Sequence, residues 1–93
     1  MKVIGLEVAY EHCSRRPDSK KWFENWLKDA QSSKWKTFHD IRARYASASF
    51  LAPTGVIFNV KGNTYRMVTR VAYGVGVIKV EWIGTHAEYN RKY

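Results

Sequence analysis

Helical spacing through the first half of the chain and two-residue alternation through the second predict an α+β domain. N-terminal helices should pack on one face of a C-terminal antiparallel sheet of three long strands, with a possible short N-terminal strand. Between residues 6 and 45 apolar side chains recur every three or four positions. From residue 55 the runs VIFNVK, TYRMVTRVA and GVIKVEWIG are divided by the turn signals GN and YGVG. No repeat, low-complexity block or Gly/Ser linker interrupts the 93 residues. A single domain over 1–93 is therefore expected, with a helical half at about 5–46, a β half at about 55–85 and a tail at 84–93.

KVIG is the candidate short strand. Leu6, Ala9, Tyr10 and Cys13 share one side of a first short helix. Pro17 suits a first-turn position and Asp18 complements the positive end of the helix that follows. Trp22, Phe23, Trp26, Leu27 and Ala30 form one apolar stripe there, leaving Lys20, Lys21, Glu24, Lys28 and Asp29 to water. As core residues, the two tryptophans need no other explanation. A third helix opens at TFHD, where Thr37 and Asp40 have the spacing of a capping box and Phe38, Ile41 and Tyr45 share a side. His39 falls in its first turn, exposed. Small residues and Pro53 end the helical half between Ser47 and Gly55.

A two-residue Gly62–Asn63 loop sets Lys61 opposite Thr64 and Asn59 opposite Arg66. Val56, Phe58 and Val60 then share a face with Tyr65, Met67 and Val71. The next loop, near Gly74, must contain an even number of residues, because an odd one would turn Lys79 and Glu81 into the core. Ile78, Val80 and Trp82 then join the apolar face. The opposite face, uncovered, collects Asn59, Lys61, Arg66, Arg70, Lys79 and Glu81, with Ile57, Val68 and Ile83 among them.

The chain has 16 Lys and Arg against 8 Asp and Glu, a formal charge of +8. Such a small basic domain repels itself, so a polyanion is the expected partner, nucleic acid before an acidic protein. The single Cys13 excludes a disulfide framework and multi-cysteine zinc patterns. It reads as a packed side chain beside a surface histidine, His12. No run is long enough to span a bilayer and no signal peptide is visible, so a reduced, soluble, cytoplasmic protein is expected.

The last eleven residues, IGTHAEYNRKY, crowd groups that move protons or grip phosphate. The blocks FNVKGNTYRMV and WIGTHAEY resemble the toxin component of HigB-type toxin–antitoxin pairs, within the RelE-like superfamily. RPDSKKWFENWLKDA, WKTF and YASASF extend the resemblance over nearly the whole chain. It implies an endoribonuclease of a type II pair that cuts messenger RNA on the translating ribosome. A cognate antitoxin, typically a helix-turn-helix protein of the HigA type, would neutralise it and link it to operator DNA. Relatives often continue EYDK, whereas Asn90 stands here where a carboxylate is common.

Metal-free RNA cleavage requires a proton taken from the 2′-hydroxyl, stabilisation of the pentavalent phosphate and a proton for the 5′-oxygen. The scattered His, Cys and acidic residues show no metal-ligand spacing and no cofactor motif. His86 is the natural acid or base, since imidazole titrates near ~6.5. Arg66 is the best phosphate clamp, because its planar fork stays charged. Lys61 could neutralise developing charge or act as base. Tyr89 could orient the hydroxyl or stack under a base, and Tyr93 likewise. Asn59, Arg70, Lys79, Arg91 and Lys92 are expected to hold the RNA backbone. Two other functions fit the same chain: a non-catalytic RNA-binding module, which would not need the His86–Tyr89 cluster, and a gyrase poison of the same superfamily, which would not need the His/Lys/Arg set.

Overall fold

The computed structural model describes residues 1–93. In chain order it forms β1 (Lys2–Ile4), α1 (Leu6–Arg15), a 3-10 turn (Pro17–Ser19), α2 (Lys20–Ser32) and α3 (Phe38–Arg44). Then follow β2 (Ser49–Leu51), β3 (Gly55–Val60), β4 (Tyr65–Ala72), a second 3-10 turn (Tyr73–Val75), β5 (Val77–Thr85) and α4 (His86–Lys92). The strands make one sheet in the order β1-β5-β4-β3-β2. The α+β class is as expected, but the sheet is mixed, because β1 pairs parallel with β5. A parallel partner is reached only through a crossover, which α1 and the following helices supply.

The chain leaves β1 through a tight corner at Gly5, where φ is 75° and a Cβ would fall 2.2 Å from the Val80 carbonyl oxygen. Only glycine fits there. α1 then lies on the sheet and buries Ala9, His12 and Cys13. The inward face thus holds His12, expected at the surface, while Tyr10, expected inside, is 52% exposed. Burying a histidine is tolerable when its ring nitrogens find partners. Here Ser19, buried by the 3-10 turn, supplies one: its Oγ lies 3.1 Å from His12 Nδ1.

α2 buries Phe23, Trp26 and Ala30 as its stripe predicts. Trp26 meets Phe58 edge to face at 5.4 Å, and Tyr45 meets the same ring at 5.4 Å. Trp26 and Phe58, both fully buried, each contribute roughly 1.5–3 kcal/mol in area removed from water. The Thr37–Asp40 capping box opens α3 with both reciprocal bonds made. At its far end the Arg44 guanidinium and the Tyr45 hydroxyl both donate to the Asp29 carboxylate, each at 2.6 Å, tying α3 to α2.

The first hairpin has the expected register, with Asn59 opposite Arg66 and Val60 opposite Tyr65. Its turn carries Lys61 and Gly62 at φ 52° and 67°. The second hairpin has the even loop, Ala72 pairing with Val77. Beyond it the expected register fails. Val68 pairs with Trp82 but Thr69 with Val80, so Glu81 is an extra residue in a β-bulge. Past the bulge every side chain changes face. Ile83, expected on the open side, enters the core, while Trp82, expected in the core, turns to the open side beside Val68. The short strand β2 was not anticipated. It lies at the sheet edge, and neither Ser49 nor Phe50 is buried, so no alternation marks it.

Candidate functional site

β5 ends at Thr85, and the chain turns at once into α4. Thr85 Oγ1 accepts from the Glu88 amide at 3.1 Å, and the Glu88 carboxylate accepts from the Thr85 amide at 2.7 Å. This second capping box, the T-x-x-E of THAE, was present in the sequence and marks the start of the helix. The bonds from Thr85, backbone first, hold the Glu88 carboxyl below its usual range despite opposing burial. Arg91 and Lys92 occupy the last turn, where cations complement the helix dipole.

α4 brings its tyrosines onto the open sheet face. Arg66, paired with Gly84 across the ladder, places its guanidinium carbon 4.6 Å from the centre of the Tyr89 ring. Tyr89 stacks on Tyr93 at 4.9 Å, with the ring planes 23° apart. Both rings meet Trp82, Tyr89 at 6.1 Å and Tyr93 at 5.9 Å. On the same face Val68, paired with Trp82, and Ile57, paired with Val68, are buried yet outside the main core. The open face is therefore covered around Val68 and Ile57, and only its rim is wet. Burial raises the Tyr93 hydroxyl pKa above its ordinary value. The Glu81 and Tyr89 charges add to that shift, and Arg70 opposes it.

His86 is the first residue of α4, three before Tyr89, so the two lie on adjacent turns of one helix side. Arg66 Nε and His86 Nε2, like Trp26 Nε1 in the core, are buried without a hydrogen-bond partner in the protein. Leaving such groups unpaired costs on the order of 1–3 kcal/mol each, and more for a charged one. Buried polar groups of this kind are met by ordered water or a ligand, or they store strain. Arg66, packed on the Tyr89 ring, and His86, three residues before Tyr89 on α4, define the candidate site.

The other expected site residues divide. Arg70 lies on the same face, its Nε 3.1 Å from the Glu81 carboxylate, with Lys79 directly across the ladder. Asn59 neighbours Arg66 in register, but its amide donates to the Ser47 carbonyl at 3.3 Å. Arg91 and Lys92 are exposed along the last turn of α4. Lys61, expected among the strand-face cations, sits in the turn, and its left-handed backbone re-aims the side chain. Its ammonium reaches Asp18 at 3.4 Å, on the side of the helices. Trp82, Gly84 and Glu88 belong to the site and were missed; the Thr85–Glu88 spacing would have found the last.

Behind the site the sheet is braced by polar contacts. The Tyr65 hydroxyl donates to Asp18 at 2.8 and 3.0 Å, and the His12 ring stands edge-on to Tyr65 at 4.8 Å. Tyr65 pairs across the ladder with Thr85, the cap of α4. The Tyr65 bond holds the Asp18 carboxyl below its usual range, and the same bond raises the Tyr65 hydroxyl. Burial, reinforced by Arg15 and Arg16, lowers the His12 pKa against the opposing charges of Glu88 and Asp18.

The most apolar surface cavity, about 440 Å³, lies elsewhere, between α1, the first 3-10 turn and α2, lined by Tyr10, Cys13 and Phe23 among others. None of the surface cavities is lined by Arg66, His86 or Tyr89. Cationic side chains beside exposed aromatic rings are the groups that single-stranded nucleic acid binds. No three metal-binding side chains converge anywhere in the chain, and no helix is long and apolar enough to cross a membrane.

The candidate site of this basic α+β domain thus joins Arg66 on the sheet, His86 at the start of α4 and the Trp82–Tyr89–Tyr93 cluster between them. The family HigB_toxin, the RelE-like toxic component of a toxin–antitoxin system, matches residues 19–92, and the chain belongs to that family. Its membership implies an antitoxin partner. A comparison with curated proteins gave no match. β1 and α1 precede the matched region.

Proposed function

We propose that this toxin is an endoribonuclease that cuts messenger RNA on the translating ribosome, in the cytoplasm. The 2′-oxygen attacks the adjacent phosphorus and the 5′-oxygen leaves, giving a 2′,3′-cyclic phosphate and a 5′-hydroxyl. His86 carries proton transfer, Arg66 stabilises the phosphate as negative charge develops, and Tyr89 orients the reacting nucleotide. Arg70, Lys79, Arg91 and Lys92 hold the backbone, and Asn59 flanks Arg66. Lys61, half-exposed beside Asp18, is assigned to the edge of the RNA path rather than to proton transfer. An antitoxin of the HigA type, carrying a helix-turn-helix, would neutralise the protein and connect it to operator DNA.

The observation that carries this reading is the Arg66 guanidinium held 4.6 Å over the Tyr89 ring, with His86 three residues before Tyr89 on α4 and its Nε2 buried. Mere phosphate binding at a surface would not require a buried imidazole nitrogen. The test is to add the protein to translating ribosomes and map new 5′ ends on the message. Ends bearing a free hydroxyl, lost in Arg66→Ala, are the expected result. Unchanged message with retained ribosome binding would favour a non-catalytic RNA-binding module instead.

A further inference from the structure

The helical side of the molecule carries two adjoining hollows that the proposed chemistry does not use. The first is the apolar cavity of about 440 Å³ between α1, the 3-10 turn and α2. Tyr10, 52% exposed, stands at its wall, the ring perpendicular to that of buried Phe23 at 5.9 Å. The second, about 560 Å³, shares Pro17, Lys20 and Glu24 with the first and continues along α2 past Lys21 and Lys28. All three lysines are exposed, and none makes an ion pair. The other acid of α2, Asp29, is taken by Arg44 and Tyr45, so Glu24 alone offsets three ammonium groups. Like charges gathered around one hollow repel each other, a cost that a negative partner relieves.

We propose that these hollows are where the antitoxin docks, through an acidic segment that sets an apolar side chain beside Tyr10 and its carboxylates against Lys20, Lys21 and Lys28. An apolar pocket with a charged rim is the anatomy of a protein interface: a buried anchor supplies affinity, and charge steers the encounter. Nucleic acid suits the place less well. Bases bind by lying on ring faces, whereas Tyr10 and Phe23 meet at 89° and only Tyr10 is exposed, so the pair offers no slot for a base. RNA also has no aliphatic side chain with which to fill the cavity. An antitoxin is the partner that family membership implies, and the formal charge of +8 favours an acidic contact. Arg66 alternates along β4 with the core residue Met67, so it faces away from the helices, and the docking surface lies across the sheet from the candidate site. The inference rests on the antitoxin partner and is independent of the nuclease reading.

The test compares antitoxin binding and ribosome binding in the same variants, with the antitoxin purified from its complex with this chain. Tyr10, Lys21 and Lys28 are exposed, so Tyr10→Ala and Lys21→Glu/Lys28→Glu should fold as the parent does. Tyr10→Ala should weaken antitoxin binding by at least about fivefold, the threshold for a residue that carries interface energy. Lys21→Glu/Lys28→Glu should slow association about tenfold or more at low salt and flatten its salt dependence, because rim charges act on the encounter rate. Amide resonances of residues 10–14 and 20–28 should shift when antitoxin is added, and ribosome binding by both variants should be unchanged. Parental antitoxin affinity in both variants, or unmoved resonances in those segments, would overturn the proposal. A parental association rate that ignores salt would overturn the acidic segment. Lysine reversals that weaken ribosome binding and spare the antitoxin would also overturn it, assigning the hollow to RNA. None of these measurements reads cleavage, so this docking site and the nuclease reading stand or fall separately.

Discussion

Replacing Gly84 by alanine tests how the open face and α4 are joined. The new Cβ would fall 2.7 Å from two atoms of the Trp82 ring and 2.8 Å from Glu88 Oε1, closer than packed carbon atoms approach. Trp82 is half-buried and can swing outward. Glu88 cannot yield without losing its 2.7 Å bond to the Thr85 amide. Loss of a helix cap typically costs ~1 kcal/mol. Forcing one carbon into a filled site costs roughly 1–3 kcal/mol. Taking the low end of both, Gly84→Ala should lose about 2 kcal/mol, which for a domain of this size lowers the melting temperature by about 8–16 °C. Thermal unfolding followed by circular dichroism measures it. Thr85→Ala, which removes only a capping oxygen, should lose about half as much. Shrinking the indole in Gly84→Ala/Trp82→Leu should restore part of the loss, a coupling that a double-mutant cycle isolates. A Gly84→Ala protein within 0.5 kcal/mol of the parent, on the order of a neutral surface change, would refute the packing of Trp82 and Glu88 on this glycine.

Three further outcomes follow from the same contacts. The Asp18 carboxyl is held below its usual range by the Tyr65 hydroxyl, so its stabilisation is present above the unfolded carboxylate pKa and is lost as pH falls through the lower folded value. Urea unfolding between pH 7 and pH 2 should accordingly show a shallower acid decline for Asp18→Asn than for the parent, and equal slopes would contradict the assignment. RNA affinity should fall steeply between 50 and 200 mM salt, because Arg70, Lys79, Arg91 and Lys92 release counterions together; a flat response would point to a partner held by apolar contact. Lys61→Ala, whose ammonium lies at Asp18, should change single-turnover cleavage less than tenfold, whereas Arg66→Ala should cost on the order of 10²–10³-fold. Equal losses would bring Lys61 into the chemistry.

The parts of the fold readable in the sequence are those set by local chemistry. The Gly62–Asn63 turn and the alternation around it gave the register of Asn59 with Arg66, and the Thr37–Asp40 spacing marked the start of α3. Trp82 and Ile83 were not separable in this way. Both are apolar and adjacent, so either can fill the core, and the choice depends on an extra residue at Glu81 that no periodicity reveals. His12 was misplaced because its partner Ser19 lies seven residues on, across the turn between two helices. The parallel pairing of β1 is equally non-local. Among the site residues, His86, Arg66 and Tyr89 were visible as chemistry. The cation–π contact joining Arg66 to Tyr89 needed the fold of α4 over the sheet.

The proposed step is proton transfer during RNA cleavage by His86, whose ring is partly exposed and whose Nε2 is buried. It is tested most directly by single-turnover cleavage on programmed ribosomes at saturating protein, which removes binding from the comparison. His86→Ala should cut ~10²–10⁴-fold more slowly than the parent, the usual loss of general acid–base help, while melting at a similar temperature and binding ribosomes as well. A His86→Ala protein that cleaves at the parental rate would make His86 a structural residue and move proton transfer to Tyr89 or Lys61.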